Sequence, residues 1–145
     1  MSYSLDANVL LYASDTLSPH HAAAKNFMKN RTTDPDLLCV TWLTLMAYQR
    51  IATHPAIFVT PLSPAEAWNN VKSLLSLPRV RVIGEEAGFA EDYAAVAKAF
   101  PVRGNLVPDA HLAIILREHG VGTIYTSDAD FRKFEFLEVR DPLKS

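Results

Sequence analysis

Apolar residues recur along the chain with two periods, one typical of strands and the other of helices. Short β-rich runs alternate with longer stretches in which apolar residues fall three or four positions apart. The predicted strands are "SYSL", "LLCVTW", "RVRVI", "TIYT" and "FLEV". Strands that alternate with helices predict an α/β fold, here a mainly parallel sheet of about five strands with about five or six helices.

Capping residues set the expected helix boundaries. In the first long helical segment, Ser18 is expected to be the N-cap and Pro19 to occupy the first helical position. Ser63 and Glu66 form a capping box ahead of another helix. The predicted helices are a short one after Asp6, then "SPHHAAAKNFMKN", "TLMAYQRIATH", "SPAEAWNNVKSLLS", "EEAGFAEDYAAVAKAF" and "PDAHLAIILREHG".

Composition is that of an ordinary globular protein, with 49% hydrophobic and 21% charged residues. A chain of 145 residues can bury a sizeable core, and residues 1–145 are expected to form a single domain. No apolar run approaches the roughly 18 residues that span a bilayer, and no basic-then-apolar signal peptide opens the chain. The single cysteine, Cys39, excludes an intrachain disulfide and is expected in the core, which fits a reducing cytoplasm.

Overall charge argues against one class of partner. The formal net charge is −2 and the pI is near 6.2, so the chain lacks the basic footprint of a tight, non-specific nucleic-acid binder. RNA is not excluded, because acidic residues concentrated around a metal site leave the local field to the bound cations.

Three aspartates stand where α/β proteins collect ligands, beyond the carboxyl ends of strands. Asp6 follows the first predicted strand, Asp128 follows "TIYT", and Asp109 lies in the first turns of an apolar helix. Carboxylates crowded together repel one another unless a counter-ion intervenes, and oxygen ligands suit Mg²⁺ or Mn²⁺. The combination predicts a metal site that supports hydrolysis at a phosphate.

Each acid also has a purely local explanation. Asp6 can be an N-cap, Asp109 can favour a helix N-terminus, and Asp128 and Asp130 can form an Asx-rich turn. The coincidence of three acids at ligand-bearing ends favours the metal site over three independent local roles.

Histidines and short motifs give weaker signals. His20 and His21 are expected at the surface of a helix start, His54 in a loop, and His111 on the opposite side of its helix from Asp109. No zinc pattern, Gly-rich phosphate loop or Gly-x-Ser-x-Gly elbow is present. A phosphoacceptor domain of the receiver or haloacid-dehalogenase type is disfavoured, because the expected second acid or late lysine is missing.

Four motifs occur in order along almost the whole chain: "LDANVLLYA", "QRIATHPAIF", "PDAHLAIILREHG" and "YTSDADFRKFEFLEVRDPL". Together they resemble the PIN-domain ribonucleases, and within them the VapC-type toxins of bacterial toxin–antitoxin pairs. The resemblance implies a three-layer α/β/α sandwich, cleavage of RNA with Mg²⁺ or Mn²⁺, a homodimer, and a cognate antitoxin that blocks the acidic groove.

The same resemblance assigns roles to particular residues. Asp6, Asp109 and Asp128 fall on metal-ligand positions and Asp130 on an accessory acid position. Two polar residues fall on positions that orient the carboxylates, and three cations are candidates for phosphate contacts on RNA. The orienting residues are Asn8 and Thr126, and the cations are Arg103, Arg132 and Lys133.

One departure from the family pattern concerns a glutamate that usually precedes the arginine of the second motif. The arginine here is Arg50, and the matching positions hold Leu45 or Ala47. Three explanations are open: a substitution that disables the site, most plausibly at Ala47; a subfamily without this acid; or a replacement from elsewhere, around Glu91. Two functions are therefore expected, a metal-dependent endoribonuclease toxin or a PIN-fold module that binds antitoxin or RNA without cutting.

Overall fold

A computed structural model describes residues 1–144. Within them, five parallel strands form one sheet in the order β3-β2-β1-β4-β5, so the first strand of the chain lies at its centre. Its backbone register pairs Tyr3 with Leu38 on one side and Leu5 with Tyr125 on the other. The strands are β1 (Ser2–Leu5), β2 (Leu37–Thr41), β3 (Val80–Ile83), β4 (Thr123–Tyr125) and β5 (Glu138–Arg140).

Helices cover both faces of the sheet, which confirms the α/β/α sandwich with an all-parallel sheet. Short 3₁₀ helices add Asn30–Thr32 and Ala129–Lys133. The α-helices are α1 (Ala7–Ser14), α2 (His21–Lys29), α3 (Trp42–Ala52), α4 (Pro64–Leu75), α5 (Phe89–Ala99) and α6 (Leu106–Glu118). No helix within residues 1–144 is both long and apolar enough to cross a membrane.

Two apolar cores hold the layers together, one on each side of the sheet. The first packs α1, α3 and α4 on the faces of β1 and β2 that carry Leu5 and Val40. The second packs α5, α6 and the 3₁₀ helix at Ala129–Lys133 on the opposite faces, with Ile124 and the buried Cys39. Both faces of β1 are therefore covered, as the buried residues Tyr3, Ser4 and Leu5 show.

Several predicted boundaries shift for identifiable reasons. The prediction that Ser18 is the N-cap is wrong: its hydroxyl and carbonyl oxygens accept from the backbone N–H groups of His20 and His21, forming a turn, and α2 begins at His21. Trp42 is the first residue of α3 instead of the end of a strand, because the Thr41 side chain accepts from the backbone N–H of Thr44 and caps the helix.

Two later helices also begin at other residues than predicted. The helix α5 begins at Phe89, so Glu85 and Glu86 precede it, whereas α6 begins at Leu106, two residues before Pro108. Proline is tolerated there because the backbone N–H groups of the first turn have no partner within the helix. The capping box at Ser63 is present as predicted.

Candidate active site

Asp6 marks the point where the central strand becomes a helix. Its backbone N–H donates to the Tyr125 carbonyl oxygen (3.0 Å), which continues the pairing of β1 with β4. One carboxylate oxygen accepts from the Ala7 backbone N–H (2.7 Å), so Asp6 is the N-cap of α1. The cap uses one oxygen, Oδ1, and the other, Oδ2, faces the residues that follow β4.

Thr126 connects that second oxygen to the loop after β4. Its buried hydroxyl donates to Asp6 Oδ2 (3.1 Å) and accepts from Asn8 Nδ2 (3.1 Å) and from the Asp128 backbone N–H (2.9 Å). The amide of Asn8 also lies 3.4 Å from Asp6 Oδ2. A single hydroxyl thus fixes the Asp6 carboxylate and the backbone of Asp128 relative to each other.

Three further carboxylates meet at the same edge. Asp109, Asp128 and Asp130 each offer an oxygen, and these atoms all lie within 4.8 Å of one another. Asp128 is also a local cap, since it accepts from the Asp130 backbone N–H (2.9 Å) at the start of the 3₁₀ helix. Asp109 is the fourth residue of α6 and belongs to its acidic first turn. The local roles predicted as alternatives are present together with the clustering.

Burial and crowding raise the affinity of Asp109 and Asp6 for protons. The pKa of Asp109 rises to about 7, first because the carboxyl is partly buried and then because Asp128, Asp6 and Asp130 repel its charge. Burial likewise raises the pKa of Asp6, with repulsion from Asp128 added, against the hydrogen bonds from Ala7 and Thr126. No lysine or arginine within residues 1–144 forms an ion pair with any of the four.

Carboxylates gathered without a cationic side chain fit a hard divalent cation. Such an ion supplies the missing positive charge and accepts oxygen ligands of this kind. Beside them, the buried Oδ1 of Asn8 has no hydrogen-bond partner within residues 1–144, so this edge also holds an unsatisfied oxygen acceptor. The donor set therefore suits Mg²⁺ or Mn²⁺ better than zinc, whose usual histidine and cysteine ligands are not in the cluster.

A family model described as PIN domain matches residues 3–137. The chain belongs to the PIN domain family. Ribonuclease VapC48 of Mycobacterium tuberculosis is 42% identical over 142 residues, which cover 98% of both chains, and Ribonuclease VapC37 of the same species is 34% identical over 95% of both. These relatives place the PIN domain among the VapC ribonucleases, as the sequence predicted.

Solved structures agree on the fold. VapC20 of Mycobacterium tuberculosis, described as a Sarcin-Ricin loop cleaving toxin, superposes with a TM-score of 0.69 at 20% identity, over 95% of this chain and 98% of that one. VapBC2 of Rickettsia felis, bound to a DNA fragment from its promoter, gives 0.68 at 17% identity over 97% and 98%. At these identities the likeness concerns the fold of the PIN domain alone.

Leu45 and Ala47, where the family pattern has a glutamate, occupy different surroundings on α3. Leu45 has no exposed surface and packs in the core with Leu10 and Tyr48. Ala47 is half-buried, so a longer side chain there can reach solvent. Glu91 is exposed on α5 and is not among the carboxylates that meet at the site. Of the two candidate positions, only Ala47 suits an acid.

The predicted phosphate-binding cations lie near the acids in sequence but form no contact with them. Arg103 is exposed in the loop that leads into α6, six residues before Asp109 in the first turn of that helix. Arg132 and Lys133 are exposed at the end of the 3₁₀ helix that begins after Asp128. None forms an ion pair in the described part of the chain, so all three remain available to an anion.

Proposed function

We propose that this PIN-domain protein is a metal-dependent endoribonuclease that hydrolyses phosphodiester bonds in cellular RNA, tRNA or rRNA, as the toxin of a toxin–antitoxin pair. The observation that carries the proposal is the convergence of Asp109, Asp128 and Asp130 beside Asp6, with no cationic side chain among them. The names of the relatives support the reaction class, since VapC48 and VapC37 are both called ribonucleases.

Asp6, Asp109 and Asp128 are the residues that would hold Mg²⁺ or Mn²⁺, with Asp130 as an accessory acid. When bound, the cation activates a water molecule and stabilises negative charge on the phosphoryl oxygens. The chain's own contribution is to hold the carboxylates still. Asp6 is fixed through Ala7 and Thr126, so its position does not depend on the ion.

Asn8 and Thr126 act as positioning residues in this proposal. The hydroxyl of Thr126 orients Asp6 and, through a backbone N–H, the loop that carries Asp128. Asn8 supports the same hydroxyl from the first turn of α1. Loss of such supporting groups commonly weakens metal affinity or activity by about 10- to 100-fold.

The exposed cations Arg103, Arg132 and Lys133 are assigned to the RNA backbone. Phosphate contacts fix the register of a nucleic acid without reading its sequence. These positive side chains also offset the repulsion between RNA phosphates and any carboxylate whose charge the metal ion does not neutralise. The RNA strand is therefore attracted to the edge of the sheet that carries the acids.

A protein partner and a cytoplasmic location complete the proposal. Two solved VapBC structures with this fold, from Rickettsia felis and from nontypeable Haemophilus influenzae, support pairing with a cognate antitoxin. The chain is further proposed to act as a homodimer in the cytoplasm. Cellular RNA is found there, and the reducing conditions keep a free thiol reduced.

The test is RNA cleavage by the purified chain in Mg²⁺ and in Mn²⁺, with total transfer and ribosomal RNA as substrates and EDTA as the metal-free control. Asp6→Asn is the matched variant, because asparagine also caps a helix and preserves the fold. Asp15→Asn, at the other end of α1, controls for the loss of one charge. Cleavage at defined sites by the unmodified chain and by Asp15→Asn, but not by Asp6→Asn, supports the proposal.

Two results would count against it. Cleavage that persists in purified Asp6→Asn would refute the assigned mechanism. RNA binding without cleavage in either metal, unchanged by EDTA, would mean that the chain is a PIN-fold binding module. A separate outcome, cleavage only by the Ala47→Glu variant, would show that the missing acid is what disables the nuclease.

A further inference from the structure

The two tryptophans of the chain form a stacked pair on its surface. Trp42 is the first residue of α3 and Trp68 lies on α4, with ring centroids 6.3 Å apart and ring planes within 15° of parallel. Both side chains remain open to solvent, with 46% of Trp42 and 38% of Trp68 exposed. A flat aromatic surface left exposed is typical of a binding site, because large rings in water are otherwise unfavourable.

This pair begins at the same edge of the sheet as the carboxylates. The parallel register of β1 and β2, continued to the ends of both strands, places Thr41 opposite Asp6. Neighbouring strands lie about 4.8 Å apart, and consecutive Cα atoms 3.8 Å, so the Cα of Trp42 is roughly 8–9 Å or less from that of Asp6. One or two nucleotides of an extended strand span such a distance.

An exposed cation lies one helical turn from the pair. Lys72 follows Trp68 by four residues on α4, so the two side chains share a helix face, and residues 37–84 hold three further cations. The four cations are exposed, and none forms an ion pair within residues 1–144. They are Arg50, Lys72, Arg79 and Arg81.

We propose that Trp42 and Trp68 form a stacking platform for an unpaired nucleobase of the RNA substrate, one or two nucleotides from the scissile phosphate. This inference rests on the proposed ribonuclease function and adds a determinant of substrate choice to it. Aromatic rings bind single-stranded nucleic acid by stacking, and neighbouring cations bind its backbone. A second copy of the chain is a poorer occupant, because a two-fold symmetric contact would bring the Lys72 side chains of both copies to the same interface.

The chain supplies its own probe, since both of its tryptophans belong to the platform. Intrinsic fluorescence is recorded while a single-stranded ten-nucleotide RNA is added in EDTA, so that no cleavage occurs. The comparison ligand is an oligomer of the same length and charge whose sugars carry no bases. Quenching by the RNA and not by the abasic oligomer is the expected result.

Variants separate stacking from charge. Trp42→Ala and Trp68→Ala are each expected to weaken binding of a labelled RNA by roughly 5- to 100-fold, the loss typical of one stacked base. Trp42→Phe keeps a ring and should retain most of the affinity, which guards against a fold that fails on truncation. Val59→Ala, at a side chain that is 83% exposed in the loop between α3 and α4, is the control and should bind as the unmodified chain does.

Three other outcomes overturn the platform, and a fourth separates it from the nuclease activity. Equal binding of RNA and abasic oligomer, unchanged in Trp42→Ala, means that charge alone holds the strand. Conversion of a dimer to a monomer by Trp42→Ala in sedimentation, with RNA affinity unchanged, assigns the rings to contact between copies. Cleavage activity is measured in parallel. Cleavage without base-dependent quenching rejects the platform and supports the nuclease. Base-dependent quenching without cleavage supports the platform as an RNA-binding site and rejects the nuclease.

Discussion

Replacing Asp109 by asparagine should make the metal-free protein more stable at pH 8 while removing most of its stabilisation by metal. The pKa of this carboxyl rises from 3.8 to about 7 in the folded chain, because it is partly buried beside other acids. Its protonated form therefore favours the fold, a contribution fully present below about pH 4 and lost as the pH rises to about 7. At pH 8 the wild type has lost it entirely.

The size of the effect follows from the shift. A change of about three pKa units corresponds to about 4 kcal/mol at 1.36 kcal/mol per unit. Because the carboxyl is half-exposed, water and salt screen the repulsion, and about 1–2 kcal/mol is the realistic gain for Asp109→Asn at pH 8. Its side chain makes no hydrogen bond within residues 1–144, so asparagine disrupts none. For a chain of this size the gain corresponds to about 3–8 °C in Tm.

Thermal and urea unfolding of both proteins in EDTA, at pH 5 and pH 8, measures it. The gain should be clear at pH 8 and smaller at pH 5, where the folded carboxyl still carries its proton but the unfolded one has lost most of its own. Added Mn²⁺ at ten times its Kd should raise the wild type by about 1.4 kcal/mol and the variant by far less. Asp15→Asn is the control. If the variant is no more stable than wild type at pH 8, or is stabilised equally at both pH values, the neighbouring acids do not destabilise the charged form of Asp109.

Three other substitutions probe the rest of the site. Thr126→Val, which removes the hydroxyl shared by Asp6 and Asn8, should lower Mn²⁺ affinity by about 10- to 100-fold in calorimetric titration; unchanged affinity would show that the ion does not need this support. Ala47→Glu should leave stability within about 0.5 kcal/mol and tighten Mn²⁺ binding, and unchanged binding would place that position away from the metal. Leu45→Glu buries an unpaired charge and should lower the free energy of unfolding by about 3–5 kcal/mol in urea; a small change would contradict its place in the core.

Much of the fold follows from local patterns that the sequence carries openly. Strand β2 is a continuous apolar run because both of its faces are covered, and the capping box at Ser63 starts α4 where it was expected. Boundaries were less secure where two local interactions compete. The side chain of Ser18 can either cap a helix or close a turn. It closes a turn with His20, and α2 begins only at His21.

The candidate site was predictable for a different reason. Parallel strands bring their carboxyl ends to one edge, so Asp6 and Asp128 had to lie close together if β1 and β4 were neighbours. What no pattern revealed was the pairing of Trp42 with Trp68, because it depends on how α3 packs against α4. The choice between Leu45 and Ala47 was hidden for the same reason, since helical spacing alone does not say which side of α3 meets the core.

The position of β1 at the centre of the sheet has a consequence for biosynthesis. The hydrogen bond between Thr126 and Asp6 joins residues 120 positions apart, and the strand that delivers Thr126 is among the last elements of the chain. A nascent or prematurely ended chain that stops between residues 109 and 127 has Asp6 and Asp109 but neither Asp128 nor Asp130. Such fragments lack half of the carboxylates, and under the proposed mechanism they would be inactive. The proposed nuclease activity would then arise only when translation is nearly finished.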